Sequence, residues 1–207
     1  MKAPEWYRNN SWNAEVSAAF ESKLRRAKRK EQFLRIQAST LAHTFPKVAH
    51  SLLDRYFALP DDFDHAQAYV DRASAFLAEG KLAEAVASYE AALARERVFP
   101  KLLTQAYLEL PYLIATLRVQ QKYSRAQKLL DFHQSRLMLP VDYFKSNTAH
   151  ALISQALGEP ARARVFAQAA LAAAAKESSG LQHHPQLGLV NASFSEVEAQ
   201  LRRLRDA

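Results

Sequence analysis

Seven histidines and one acidic run are the residues of this chain with the most evident chemical potential. Imidazole can ligate metal or move protons near neutrality, and grouped carboxylates can hold a cation or form an acid–base pair. Their spacing argues against these uses. The histidines are His43, His50, His65, His133, His150, His183 and His184. A zinc site needs several ligands converging at about 2 Å. His43 and His50 fall either side of Pro46 and need not share a face, and neighbours such as His183 and His184 rarely bind one ion together. His133 reads as a residue packed between helices. Asp61-Asp62-Phe63-Asp64 stands where a loop meets a helix start, a place where carboxylates complement the helix dipole. The chain has no phosphate-cradling glycine loop and no serine nucleophile elbow. It has no cysteine, which excludes disulfides, thiolate metal sites and a cysteine nucleophile. The expectation is a protein that is not an enzyme and holds no metal or cofactor.

Lys23-Leu-Arg-Arg-Ala-Lys-Arg-Lys30 points to a different chemistry, with six cations in eight residues. Of the 28 Lys/Arg and 21 Asp/Glu, eight and three fall in residues 1–30, so five of the seven net positive charges lie there. Lys23, Arg25, Arg26, Arg29 and Lys30 are a candidate patch for an anionic partner, because a basic helix face can follow phosphates or meet an acidic protein. Trp6, Tyr7 and Trp12 could stack on bases, although terminal aromatics also dock on their own helices. No base-reading motif accompanies the charge, so nucleic-acid binding is an alternative reading here.

The elements that must position these groups are helical. Only 4 glycines occur, while Ala, Leu, Gln, Glu and Arg abound, and these side chains lose little freedom in a helix. Residues 13–29 have helical periodicity, with Val16, Ala19, Phe20, Leu24 and Ala27 on one stripe. Tyr69, Ala73 and Phe76 keep the same period up to Gly80. Beyond that glycine, Ala85, Tyr89 and Ala92 resume it. Small Ala73 and Ala85 allow two antiparallel helices to approach closely, the aromatics fill the gaps, and Gly80 accepts a left-handed cap.

This pattern resembles the tetratricopeptide repeat, a helix–turn–helix unit of about 34 residues. Arg72 stands where the repeat usually has leucine. Three further copies follow in register. Their second helices carry Ala49/Leu53/Tyr56, Ala126/Leu130/His133 and Ala163/Ala167/Ala170, and Gly158 takes the turn position in the last. Thr44 and Gln121 occupy it in the first and third. Pro60, Pro100 and Pro140 mark helix exits. Asp64–Gln67 and Ser124–Gln127 read as capping boxes, Asp142 as a cap, and Pro46 and Pro160 as first-turn residues. Pro111 should kink or restart its helix.

The fold expected from this resemblance is all-α, a right-handed α-solenoid of about four repeats with flanking helices. A basic capping helix covers 1–30 and the repeats cover 31–60, 64–100, 103–140 and 142–180. A loop and last helix cover 181–207, with Val197, Leu201 and Leu204 facing inward. The lead Pro4-Glu-Trp-Tyr-Arg-Asn9, then Trp12-Asn13 and His184-Pro-Gln-Leu-Gly-Leu-Val190, is similar to a family of bacterial tetratricopeptide proteins. That likeness implies a fold and no activity.

In this repeat class the first helices line a groove that takes extended or helical peptides. The spacing projects Arg35, Asp71, Tyr112, Arg118 and Lys145 onto that surface, with Glu31, Gln67 and Gln155 beside them and Leu34, Val70, Leu77, Leu108 and Leu152 between. Such a lining suits a protein or peptide with acidic and apolar side chains. The two-carboxylate clamp of chaperone-binding repeats is excluded, since Leu34, Ala38, Gln67 and Asp71 stand at the clamp positions. A homodimer through the alanine-rich 167–175 helix is a further alternative. The start lacks a signal-peptide core and no run approaches the roughly 18 apolar residues of a membrane span, so the expected setting is a bacterial cytoplasm with no membrane partner.

Overall fold

The computed structural model describes residues 5–60 and 63–207, and among them every regular element is helical. Asp61 and Asp62 of the acidic run lie outside the described residues. The chain divides into two units, Met1–Ala106 and Tyr107–Ala207.

The first unit holds α1 (Ala14–Arg26), α2 (Lys30–Leu41), α3 (Pro46–Phe57), α4 (His65–Ala78) and α5 (Leu82–Val98). Helices α2 and α3 pack as a hairpin, as do α4 and α5, and α3 packs on α4. Asn13 caps α1 by accepting from the Val16 amide at 2.9 Å. The helix stops at Arg26, short of the predicted 29, because Ala27 turns to extended backbone. Phe20 and Leu24 are buried against the α2–α3 core. Each such side chain contributes about 1.5–3 kcal/mol of hydrophobic burial.

The residues before α1 are fastened to this core. Trp6 lies 4.8 Å from the Phe33 ring and 5.4 Å from Phe20, Tyr7 lies 4.7 Å from Phe33, and Trp12 lies 5.5 Å from Phe20. Gln37, fully buried in α2, supplies the polar fastening. Its Oε1 accepts from the Asn9 amide at 3.0 Å and from Asn9 Nδ2 at 2.9 Å, while its Nε2 donates to the Asn9 carbonyl at 2.8 Å. A buried amide left without these partners would cost about 1–3 kcal/mol. The aromatic lead is therefore a docked strap.

The second unit holds nearly all of α6 (Ala106–Thr116), then α7 (Tyr123–Phe132), α8 (Pro140–Ala156), α9 (Pro160–Ala174) and α10 (Ser195–Asp206). Helices α8 and α9 form a hairpin, and α10 packs on both. Leu201 is buried among Phe144, Ala151, Ala167 and Ala170, with Val197 and Leu204 beside it. The inner face of the alanine-rich α9 is thus covered within the chain. Pro46 and Pro160 open their helices, and Asp142, in the first turn of α8, accepts from the Met138 and Leu139 amides at 3.2 and 3.0 Å. At Gly188 an added Cβ would meet the Leu139 side chain at 2.6 Å, so the loop before α10 approaches α8 closely only as glycine.

Three helix ends use one device. Lys81 donates to the Phe76 carbonyl at 2.9 Å, Glu159 to Ser154 at 2.9 Å and Val119 to Ile114 at 3.0 Å, each across a residue with positive φ. Two of those residues are glycines, Gly80 at 72° and Gly158 at 77°. The third is Arg118 at 56°. This six-to-one bond with a left-handed residue is a Schellman cap.

Several local expectations need correction. Asp64 makes no side-chain cap to α4, because its carboxylate accepts instead from Arg35 Nε at 3.3 Å. Ser124 lies inside α7, which begins at Tyr123, so it is not a cap. Helix α6 runs through Pro111 without restarting.

Candidate partner-binding surfaces

The register residues decide which faces remain available. Ala49, Leu53, Tyr56, Ala85, Tyr89, Ala92, Ala126, Leu130, Ala163, Ala167 and Ala170 are all buried. His133 is half-buried, 5.2 Å from the Tyr107 ring and 4.8 Å from Phe132. The second helices therefore spend their signature side chains on packing.

In the first unit, Arg35 and Asp71 meet each other. Arg35 Nη1 donates to Asp71 Oδ2 at 3.2 Å, and Gln67 Nε2 donates to Asp71 Oδ1 at 3.1 Å. With Asp64, this network ties α2 to the start of α4. Asp71 is only 4% exposed. Burial pushes its carboxyl above the usual range, with Arg35 and Gln67 pulling the other way. Leu34 and Ala38, two of the would-be clamp positions, are buried. What this face can do chemically is hold two helices in register.

The second unit has a similar arrangement around Lys145. Its ammonium donates to Glu109 Oε1 at 2.5 Å and sits 5.6 and 5.7 Å from the ring centres of Tyr112 and Phe194. Burial, then the charge of Glu109, pushes the Tyr112 hydroxyl up to about 12, so it stays protonated. Arg118 is exposed on the turn after α6 rather than on a helix face. Of the five residues projected onto one surface, the structure joins Arg35 to Asp71 and Lys145 to Tyr112.

The sequence reading missed an open cleft of ≈ 540 Å³ in the second unit, lined by Met138, Tyr143 and Asn147 on one side and Ala169, Ala172 and Lys176 on the other. Met138 is 73% exposed and Tyr143 45%. The available signal was the tail of the third copy. Its second helix ends at Phe132, 80% exposed, eight residues before Pro140, and leaves large apolar side chains uncovered.

Lys23, Arg25, Arg26, Arg29 and Lys30 are all exposed, as is Lys28. Among the described residues, no carboxylate pairs with any of them.

His50, His65, His133 and His150 are packing residues, whereas His43, His183 and His184 are exposed. His50 stacks near Phe76 at 4.2 Å with its Nε2 3.4 Å from Glu79, and His150 stacks on Phe166 at 4.6 Å. Burial lowers both imidazoles below their ordinary value. Among the described residues, no three His, Asp or Glu side chains group to hold a metal ion, and no helix is long and apolar enough to cross a membrane. No family model matches the chain, and neither a curated protein nor a solved structure matches it.

Proposed function

We propose that the chain is a non-enzymatic scaffold or adaptor of the tetratricopeptide type that binds another protein or peptide. The reading of a repeat rests on register. Alanine and large side chains alternate at matching positions of four second helices, and three turns close on the same Schellman geometry. The observation that carries the binding role is the Met138–Tyr143 cleft. Large apolar side chains stay exposed there beside small alanines, and protein interfaces gather their energy on such anchors.

The geometry changes which groups engage the guest. Arg35 and Lys145 already have carboxylate partners, so they act as internal braces and an acidic ligand would have to displace those partners. The open part of the first-helix surface is the start of α8, where Tyr143 and Asn147 face the cleft.

A photo-crosslinking residue placed at Tyr143 in the full chain, expressed in its native cells, tests this. One discrete protein adduct is expected, lost when Met138→Asp is added and absent from a control probe at the exposed Arg203. Equal labelling at both positions would sink the proposal.

A further inference from the structure

We infer that the corner where α1 passes into α2 binds the phosphate backbone of double-stranded nucleic acid without reading its sequence. The site is Lys23, Arg25, Arg26, Lys28, Arg29 and Lys30, and it is separate in residues and chemistry from the Met138–Tyr143 cleft.

The charge is uncompensated. Several cations elsewhere in the same unit have acids beside them: Arg55 pairs with Glu21 at 2.5 Å, Arg35 with Asp71 and Asp64, and Lys81 with Glu79 at 2.8 Å. The six corner cations have none among the described residues. The acids in the neighbourhood are Glu21, engaged by Arg55, Glu5 and Glu15 around the pocket that Lys23 borders, and Glu31 and Asp64 around the one that Arg29 borders, and none of them pairs with a corner cation. A cluster of like charges repels itself, and a polyanion relieves that repulsion.

The surroundings choose among polyanions. Within residues 23–30 the only apolar side chains are Leu24, buried, and Ala27, half-buried. An acidic protein partner would find few anchors at the corner, Phe63 beside Arg29 being the exposed aromatic there, and interface cores are depleted in lysine. Membrane insertion lacks a hydrophobic face, because Phe20 and Leu24 of α1 are committed to the core. Single-stranded bases have little to stack on, since Trp6, Tyr7 and Trp12 are packed against Phe20 and Phe33 and Phe63 is a single ring. What remains is contact with phosphates alone.

Geometry favours a duplex over a flat anionic surface. At about 100° per residue, Lys23, Arg25 and Arg26 spread over about 160° of α1, opposite buried Phe20 and Leu24. A plane of headgroups reaches part of that arc, whereas a duplex groove offers phosphates on two sides.

The test is fluorescence anisotropy of the full chain with two unrelated DNA duplexes of about 20 bp, alongside phosphatidylserine vesicles and a polyglutamate competitor. The two duplexes should bind equally. Affinity should fall about a thousandfold between roughly 50 and 200 mM salt if about six phosphates are neutralised, at about 0.9 in log–log slope for each. The variant R25Q/R26Q/R29Q/K30Q should lower that slope by about 3–4 and weaken low-salt binding at least about 30-fold. The charge-keeping variant R25K/R26K/R29K should retain both, and all proteins should melt alike because the substituted side chains are exposed. Absence of duplex binding at low salt overturns the inference. So does an unchanged slope in the neutralised variant, or tighter binding of vesicles or polyglutamate than of duplex.

Discussion

The turns that end α4 and α6 are of the same kind but draw on different sequence resources. In the first, Gly80 supplies the left-handed residue, α5 runs for 17 residues, and Tyr89 and Ala92 are sealed in the core. In the second, Arg118 takes the left-handed position despite its Cβ, Pro111 removes one amide from α6, and α7 stops after 10 residues. Ala126, Leu130 and Tyr107 are nevertheless buried. The irregularity surfaces elsewhere. Phe132, the last residue of the shortened helix, and Met138 beyond it stand in solvent, and a cleft opens beside Met138. Both regions leave apolar side chains exposed, Leu82 and Val98 on α5 and Phe132 and Met138 after α6, but beside Met138 they line a cleft with alanines across from them.

The comparison can be broken most severely at the buried register. Tyr89→Ala should cost about 3–5 kcal/mol and Leu130→Ala about 2–5 kcal/mol in urea unfolding, since both open cavities in packed cores. Phe132→Ala, two residues beyond Leu130, should change stability by less than about 0.5 kcal/mol. A Leu130→Ala cost under about 1 kcal/mol would show that Leu130 is packed far more loosely than Tyr89.

Next come the braces. Asp71→Ala leaves Arg35 with Asp64 alone and takes the acceptor from Gln67, and should cost about 2 kcal/mol. Glu109→Ala, at a more accessible pair, should cost about 1 kcal/mol. Equal costs would mean that the two regions bury their ion pairs equally.

The turns should respond in opposite directions. Gly80→Ala should destabilise by about 1 kcal/mol through backbone strain alone, because nothing lies within 4 Å of the added Cβ. Arg118→Gly should stabilise by about 0.5 kcal/mol, the relief of a left-handed arginine less the flexibility glycine adds to the unfolded chain. Thermal melts of both variants read this contrast directly.

The smallest effect is a pH slope. His50 and His150 have folded-state values lowered by burial, so the unfolded chain binds more protons in the window just below 6.5. Their contribution is complete above that value and is lost as pH falls through the lowered folded values. Melting temperature should therefore drop on acidification from pH 7, and His50→Phe with His150→Phe should flatten the drop. An unaltered slope in the double variant would assign it to other groups.

Helical class, the hairpin at Gly80 and the buried second-helix register were legible in the sequence because they depend on local spacing. A 3.6-residue period decides which side chains share a face, and glycine's missing Cβ decides where a left-handed cap is cheap. The same rules placed Pro46 and Pro160 in first turns. They failed wherever a side chain chose between a local partner and a distant one. Asp64 abandoned its cap for Arg35, 29 residues away, and Arg35 and Asp71, 36 residues apart, met each other instead of a guest. Gln37 drew the aromatic lead inward through Asn9. The sequence by itself determined the periodicity, the caps and the concentration of charge at residues 23–30. Only the tertiary structure decided which charges were neutralised, which aromatics were hidden and where apolar surface stayed open, because those outcomes depend on what other helices bring within a few ångströms.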